Sequence, residues 1–291
     1  MMFVVTFLNI AIVGLIMGGI YALISMGLSI QYGVAKILNI AHGEFIMVGA
    51  FLTWTLTSLV GLNPILALVI CCPLILVVGF VLHRTIFKRL SDVSKSSAVF
   101  ESNAMLLCFG LMYIIQNIGT RIWGSNPLAI TFMAYPVKIG PNQFPANRLL
   151  VLAFAIAISA LFYLFLMKTR LGKSIRAASQ DPVAAKLMGV KINTIMAVCF
   201  GIGTMLAGIA GSLLSIYNPI YTTMGMSYSI ISIIVVVLGG LGSIPGSIIG
   251  GLILGFVGTV MSTYYPSLTL VAFYLIIMLL LLVRPKGLLG R

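Results

Sequence analysis

Acidic residues are almost missing from this chain. Four Asp and Glu stand against 17 Lys and Arg in 291 residues, with only two histidines. Charged residues make up 7% of the sequence, where a soluble domain carries about 25%. A soluble globular fold is excluded. Segments of about ten residues alternating apolar and polar are also absent, which excludes a membrane β-barrel. The four cysteines, Cys71, Cys72, Cys108 and Cys199, lie inside apolar segments and form no C-x-x-C pair. With two distant histidines they build no zinc site at standard spacings, and they read as small buried side chains. There is no H-E-x-x-H and no motif of paired carboxylates, so an intramembrane enzyme fails on inventory.

What is abundant is apolar sequence, 61% of the chain. Apolar segments fall at about 7–31, 42–60, 62–83, 99–119, 149–167, 194–217, 228–241, 246–262 and 267–283. Each is on the scale of a membrane helix, roughly 17–25 residues, except the short 228–241 run. The fold class is all-α: a polytopic membrane protein of eight or nine spans, some broken or re-entrant, in one domain over 1–291. The N-terminal run lacks a basic n-region and is longer than the h-region of a signal peptide, so it reads as a retained membrane helix.

The net charge of +13 does not indicate nucleic acid, because the basic residues sit in loops between apolar runs. Arg84, Lys88, Arg89 and Lys95 form one cluster. Lys168, Arg170, Lys173, Arg176, Lys186 and Lys191 form a second, and Arg284, Lys286 and Arg291 a third. The positive-inside rule makes all three cytoplasmic. The 120–148 loop is then external, stiffened by Pro127, Pro136, Pro141 and Pro145 into a lid. Nine full spans place the N-terminus outside, and eight place it in the cytoplasm unless the missing span is a re-entrant pair. The longest cytoplasmic stretch, about 168–193, is too short for a catalytic domain.

Within that stretch, Asp181 followed by Pro182 is a helix start. Val183 and Leu187 share a face, and Gly189 can end the helix in a left-handed cap. A helix this short needs something to pack on. The nearby Gly172-Lys173-Ser174 copies the end of a phosphate-binding loop. However, Met167 stands where the motif needs its first glycine, and a membrane helix precedes it instead of a strand. This chain therefore does not bind ATP.

Two glycine-rich stretches interrupt apolar runs. One is GGLGSIPG, 239–246, with Gly239, Gly240, Gly242, Pro245 and Gly246. Irregular backbone at membrane depth is tolerated only where it is buried in protein or lines a cavity, and transporters use such breaks at their cargo sites. A tight turn at the cytoplasmic face is the alternative. The spacing of Gly242, Gly246 and Gly250 adds a face for close helix packing. The other stretch holds Asn39, His42, Gly43 and Glu44, and is read as the counterpart of the first in an internal pseudo-repeat. A charge at the bilayer centre costs about 2.5–3.5 kcal/mol, so Glu44 faces protein or water. Three readings stand: a polar anchor near the surface, a carboxylate fixing a helix break by accepting N–H groups at a helix N-terminus, or a contact with the ammonium of a cargo.

Three strings, LNIAHGEFIMVGAF (38–51), AASQDPVAAKLMGV (177–190) and VVVLGGLGSIPGSIIGG (235–251), resemble in order and spacing the permease subunit of branched-chain amino acid ABC importers of the LivH type. More distantly the layout is similar to ribose-type sugar permeases. The resemblance implies a pore of two permeases, usually a heterodimer with a sister subunit. It further implies two cytoplasmic ATPases that hold ATP and Mg, a periplasmic or extracellular substrate-binding protein, and residence in a bacterial or archaeal cytoplasmic (inner) membrane. It implies no cofactor on this chain. It makes the short cytoplasmic helix a coupling helix, with Arg176, Asp181, Pro182, Ala184, Ala185, Lys186, Leu187 and Gly189 at the ATPase. Ala184, Ala185 and Gly189 match the signature E-A-A-x-x-x-G, and Val183 replaces its glutamate. Cargo is expected to be a branched-chain or other hydrophobic amino acid, with urea or short amides as the alternative. A proton-coupled secondary transporter using Glu44 and His42 is the rival from another class.

Overall fold

The computed structural model describes residues 2–139 and 142–290. Pro141 of the proline-rich loop and Arg291 of the terminal basic cluster lie outside the described residues. In chain order the elements are α1 (Met2–Ala35), α2 (His42–Ser58), α3 (Pro64–Leu82), a π-helical turn His83–Phe87, α4 (Lys88–Val93) and α5 (Ser97–Trp123). A hairpin follows, β1 (Pro136–Ile139) and β2 (Asn142–Pro145). Then come α6 (Ala146–Lys168), α7 (Arg170–Gln180), α8 (Pro182–Leu187), α9 (Ile192–Ser215), α10 (Met224–Gly239), α11 (Ile244–Tyr264), a 3-10 turn Pro266–Leu268 and α12 (Thr269–Val283). Among the described residues the hairpin is the only sheet, with Pro136 paired to Pro145 and Val137 to Phe144, and the other elements are helices joined by loops.

Helix starts follow local chemistry. Asn63 caps α3 by accepting from Ile65 N at 2.9 Å, with Pro64 in the first turn. Ser96 caps α5, Thr169 caps α7 and Ser243 caps α11, each accepting a first-turn N–H. These side chains satisfy donors that have no partner inside the helix.

Seven helices among the described residues are long and apolar enough to cross a membrane. The remaining two apolar segments become α2, with 17 residues, and α10, with 16. At 1.5 Å per residue they reach about 25 Å, short of a hydrocarbon core of roughly 30 Å. The nine apolar segments of the sequence are therefore seven full helices and two short ones.

The packing has an internal two-fold pattern. The pairs α1–α11 and α3–α9 make the most extensive contacts, while α1 meets α9 and α2 meets α10 at the centre. Exchanging α1 with α9, α2 with α10, α3 with α11 and α5 with α12 reproduces this set, including α2–α5 and α10–α12. The pseudo-repeat thus places α10, not the 239–246 turn, as the counterpart of α2.

The centre is α9, in which every residue from Phe200 to Ser215 except Met205 is buried. Without a hydrophobic drive between helices in lipid, association rests on close backbone packing. Along α1–α11 a Cβ on Gly255 would collide with the backbone of Gly18, and one on Gly251 would lie 2.6 Å from Ala22 Cα. Gly251→Leu is expected to force α1 and α11 apart and lower the thermal midpoint in detergent, at a cost of about 1–3 kcal/mol. Gly110 of α5 has nothing within 4 Å of its Cβ position, so Gly110→Leu should leave the midpoint unchanged. Equal behaviour of the two variants would refute glycine-mediated packing as the basis of this contact.

Candidate functional site

The stretch from Lys36 to Ala41 is not helical. His42 Nε2 bonds the carbonyl oxygen of Ile24 at 3.0 Å. Ile24 lies eleven residues before the end of α1, or about 16 Å along the helix axis. The chain therefore leaves α1, doubles back into the bundle and starts α2 well inside it. Lys36, at φ 55°, makes the reversal.

The buried polar groups of this re-entrant stretch are tied to three helices. Asn39 Nδ2 donates to Gln31 Oε1 at 3.3 Å, and Gln31 Nε2 donates to the carbonyl of Phe200 in α9 at 3.0 Å. Ser229 of α10 closes both open backbone groups at the start of α2. Its hydroxyl donates to Ile40 O at 2.6 Å and accepts from Gly43 N at 2.8 Å. Farther along α2, Thr53 donates to Ser212 of α9 at 2.8 Å.

The first turns of α2 and α10 lie against one another. A Cβ on Gly43 would collide with the carbonyl oxygen of Gly225, and one on Gly225 would lie 2.5 Å from the Glu44 carboxyl carbon. Both glycines stand second in their helices. Glu44, fully buried, is thus in the first turn of α2 and against the first turn of α10. Two positive helix ends converge on one carboxylate. Neither Glu44 oxygen has a hydrogen-bond partner. The expectation that Glu44 fixes the break by accepting backbone N–H groups is corrected here: among the described residues no N–H reaches its oxygens, and Ser229 accepts from Gly43 N instead. Full burial also rules out the surface-anchor reading of His42 and Glu44. His42 faces α1 while Glu44 faces α10, so the two do not form a relay pair.

The second glycine stretch is a turn between α10 and α11. Gly240 and Gly242 have φ of 103° and 81°, Pro245 sits in the first turn of α11, and Gly239 packs on Gly246. The C-terminal segment seals it. Leu288 N and Leu289 N donate to the carbonyls of Leu238 and Gly239, at 2.9 and 3.0 Å, filling acceptors that the end of α10 leaves open. These glycines are therefore remote from Glu44, at the other end of α10.

At the basic end, α8 is closed by a cap at each terminus. Asp181 Oδ1 accepts from Val183 N at 2.8 Å and Ala184 N at 3.0 Å. At the far end Val190 N bonds Ala185 O and Gly189 N bonds Lys186 O, with Gly189 at φ 84°. This is the Schellman pattern. Ala185 is buried against the body, while Pro182, Ala184, Lys186 and Gly189 are exposed and Val183, Leu187 and Met188 project outward. Arg176 Nη2 instead turns back to the carbonyl of Met167, at 3.4 Å, and ties α7 to the end of α6. Gly172, Lys173 and Ser174 lie within α7, preceded by helix α6.

Sequence reasoning missed Gln31, Gly225 and Ser229. The signal for Gly225 was Met224-Gly225-Met226, which repeats the placement of His42-Gly43-Glu44 at the start of a short helix. Ser229 carried no signal at all, since a serine in an apolar run is unremarkable until its partner is known.

Residues 10–283 match the family described as branched-chain amino acid transport system, permease component. The chain is 33% identical over 297 residues to the high-affinity branched-chain amino acid transport system permease protein BraD of Pseudomonas aeruginosa, covering 96% of this chain and 94% of the relative. It is 30% identical over 299 residues to the permease protein LivH of Escherichia coli K12, with the same coverage. To the permease protein LivM of the same organism it is 24% identical, over 93% of this chain and 68% of the relative. The fold, the multi-pass membrane character and these matches agree: the chain belongs to the family of branched-chain amino acid transport permease components.

Proposed function

We propose that this chain is the membrane subunit of an ATP-binding-cassette importer that carries branched-chain or other hydrophobic amino acids by alternating access. ATP and Mg belong to two separate ATPase subunits, and a binding protein delivers cargo from outside. The basic end, with α7 and α8, then faces the cytoplasm and the β1–β2 hairpin faces outward.

The observation that carries this reading is α8. A six-residue helix is marginal alone, yet this one is capped at both ends and presents Val183, Leu187 and Met188 to the outside. Such a body suits docking on a partner that moves it. Ala185 packs it to the protein, and α8 touches both α7 and the central helix α9. Closure of the ATPases would push α8, shift α9 and so move α2, which α9 holds through Ser212 and Thr53. Rigid elements passing motion to a membrane core are a known route for such coupling. Two permease proteins of Escherichia coli K12 named for one branched-chain amino acid system both resemble this chain, which supports a heterodimer with a sister subunit.

Glu44 acts in this reading as the charge shared by two helix ends. The two helix ends return about 0.3–1 kcal/mol each, less than the roughly 2.5–3.5 kcal/mol that a charge at membrane depth costs, so Glu44→Gln should leave the thermal midpoint of the purified complex level or raise it. A clear fall in the midpoint would show that the charge itself stabilises the junction.

Gly189→Pro breaks the Schellman cap and Ala185→Glu puts a charge in the seam between α8 and the body. Both should abolish ATP-driven uptake in proteoliposomes while membrane insertion is kept. Normal uptake in both would sink the coupling role of α8. The chain purified alone should hydrolyse no ATP, and measurable turnover by clean protein would refute the division of labour.

A further inference from the structure

A cavity of about 260 Å³ opens beside the first turn of α10, away from α8. Its walls are of two kinds. Leu214, Ile220 and Met224 offer aliphatic surface; Asn218, Tyr221 and Tyr228 carry polar groups. Ile220 is fixed from outside, because its N–H and carbonyl exchange two hydrogen bonds with Leu128, at 2.8 and 2.9 Å. The segment leading to the hairpin therefore sits directly against the cavity wall.

The position matters as much as the lining. Met224 and Tyr228, four residues apart, share the face of α10 that lines the cavity, and Tyr221 stands just before the helix. The first-turn N–H groups of a helix have no partner within it and favour an anion. Against Gly225, next to Met224 and outside the cavity lining, lies Glu44, fully buried and with no hydrogen-bond partner for either carboxylate oxygen among the described residues. An anion-seeking helix end, a negative side chain and an aliphatic wall thus converge within one turn of α10. A free amino acid with an apolar side chain carries the three complementary groups: carboxylate, ammonium and hydrocarbon.

We propose that this cavity is the subsite where the chain holds an apolar amino acid during passage. The cargo carboxylate lies at the first turn of α10, its ammonium is drawn toward Glu44, and its side chain packs on Leu214, Ile220 and Met224. The proposal rests on the amino-acid reading of function above. It gives α10 a reason to be short: a full-length helix would carry its N-terminus past the cavity, beyond reach of Glu44.

The test is uptake of labelled leucine by the complete transporter in proteoliposomes, with its binding protein saturated. Met224→Trp, which fills the cavity, should cut uptake by about tenfold or more, the scale on which one extra group in an apolar pocket discriminates. Met224→Leu should retain it. Co-purification with the ATPase subunits reports assembly. If Met224→Trp does not assemble, Met224→Cys decides, since leucine should slow its labelling by a small thiol reagent. Wild-type uptake matched by an assembled Met224→Trp, or Met224→Cys labelling unaffected by leucine, overturns the subsite. A wild-type transporter that takes up no branched-chain amino acid overturns the functional reading itself and the cargo assigned here with it.

Discussion

Backbone that leaves a helix inside a bilayer must find its hydrogen bonds within the protein, because the surrounding lipid offers none. In this chain one hydroxyl meets that demand at the start of α2. Ser229 gives its proton to Ile40 O and takes one from Gly43 N. The bond pair works only if α10 lies against the re-entrant stretch, and that approach is open because Gly43 and Gly225 have no side chains. The two short helices hold each other in place, and their mutual position fixes everything that faces them.

Charge follows from the same arrangement. A carboxylate at the bilayer centre costs about 2.5–3.5 kcal/mol. Two helix N-termini, each worth roughly 0.3–1 kcal/mol and up to about 2 in buried geometry, offset much of that. Glu44 is tolerated where a single helix end would leave most of its cost standing.

Around this junction the bundle is held by small residues. The α1–α11 seam runs through Gly18, Gly251 and Gly255, and the α10–α11 turn through Gly239 and Gly246. Close packing joins α9 directly to α1, α2 and α3. The short helix α8 touches α7 and α9, with Ala185 buried and Val183, Leu187 and Met188 exposed.

The sequence by itself determined the class of the molecule, its apolar segments, the caps of α8 and the presence of two glycine breaks. These are local properties: hydropathy, capping side chains and φ preference act within a few residues. The sequence also singled out Glu44, because one acid in an apolar run is conspicuous. Only the tertiary structure decided what Glu44 faces. It moved the partner of the first break from residues 239–246 to the start of α10, and it made Ser229, 189 residues away from Ile40, the group that closes the break. Contacts between distant segments depend on how the pseudo-repeats pack, and neither composition nor spacing carries that information.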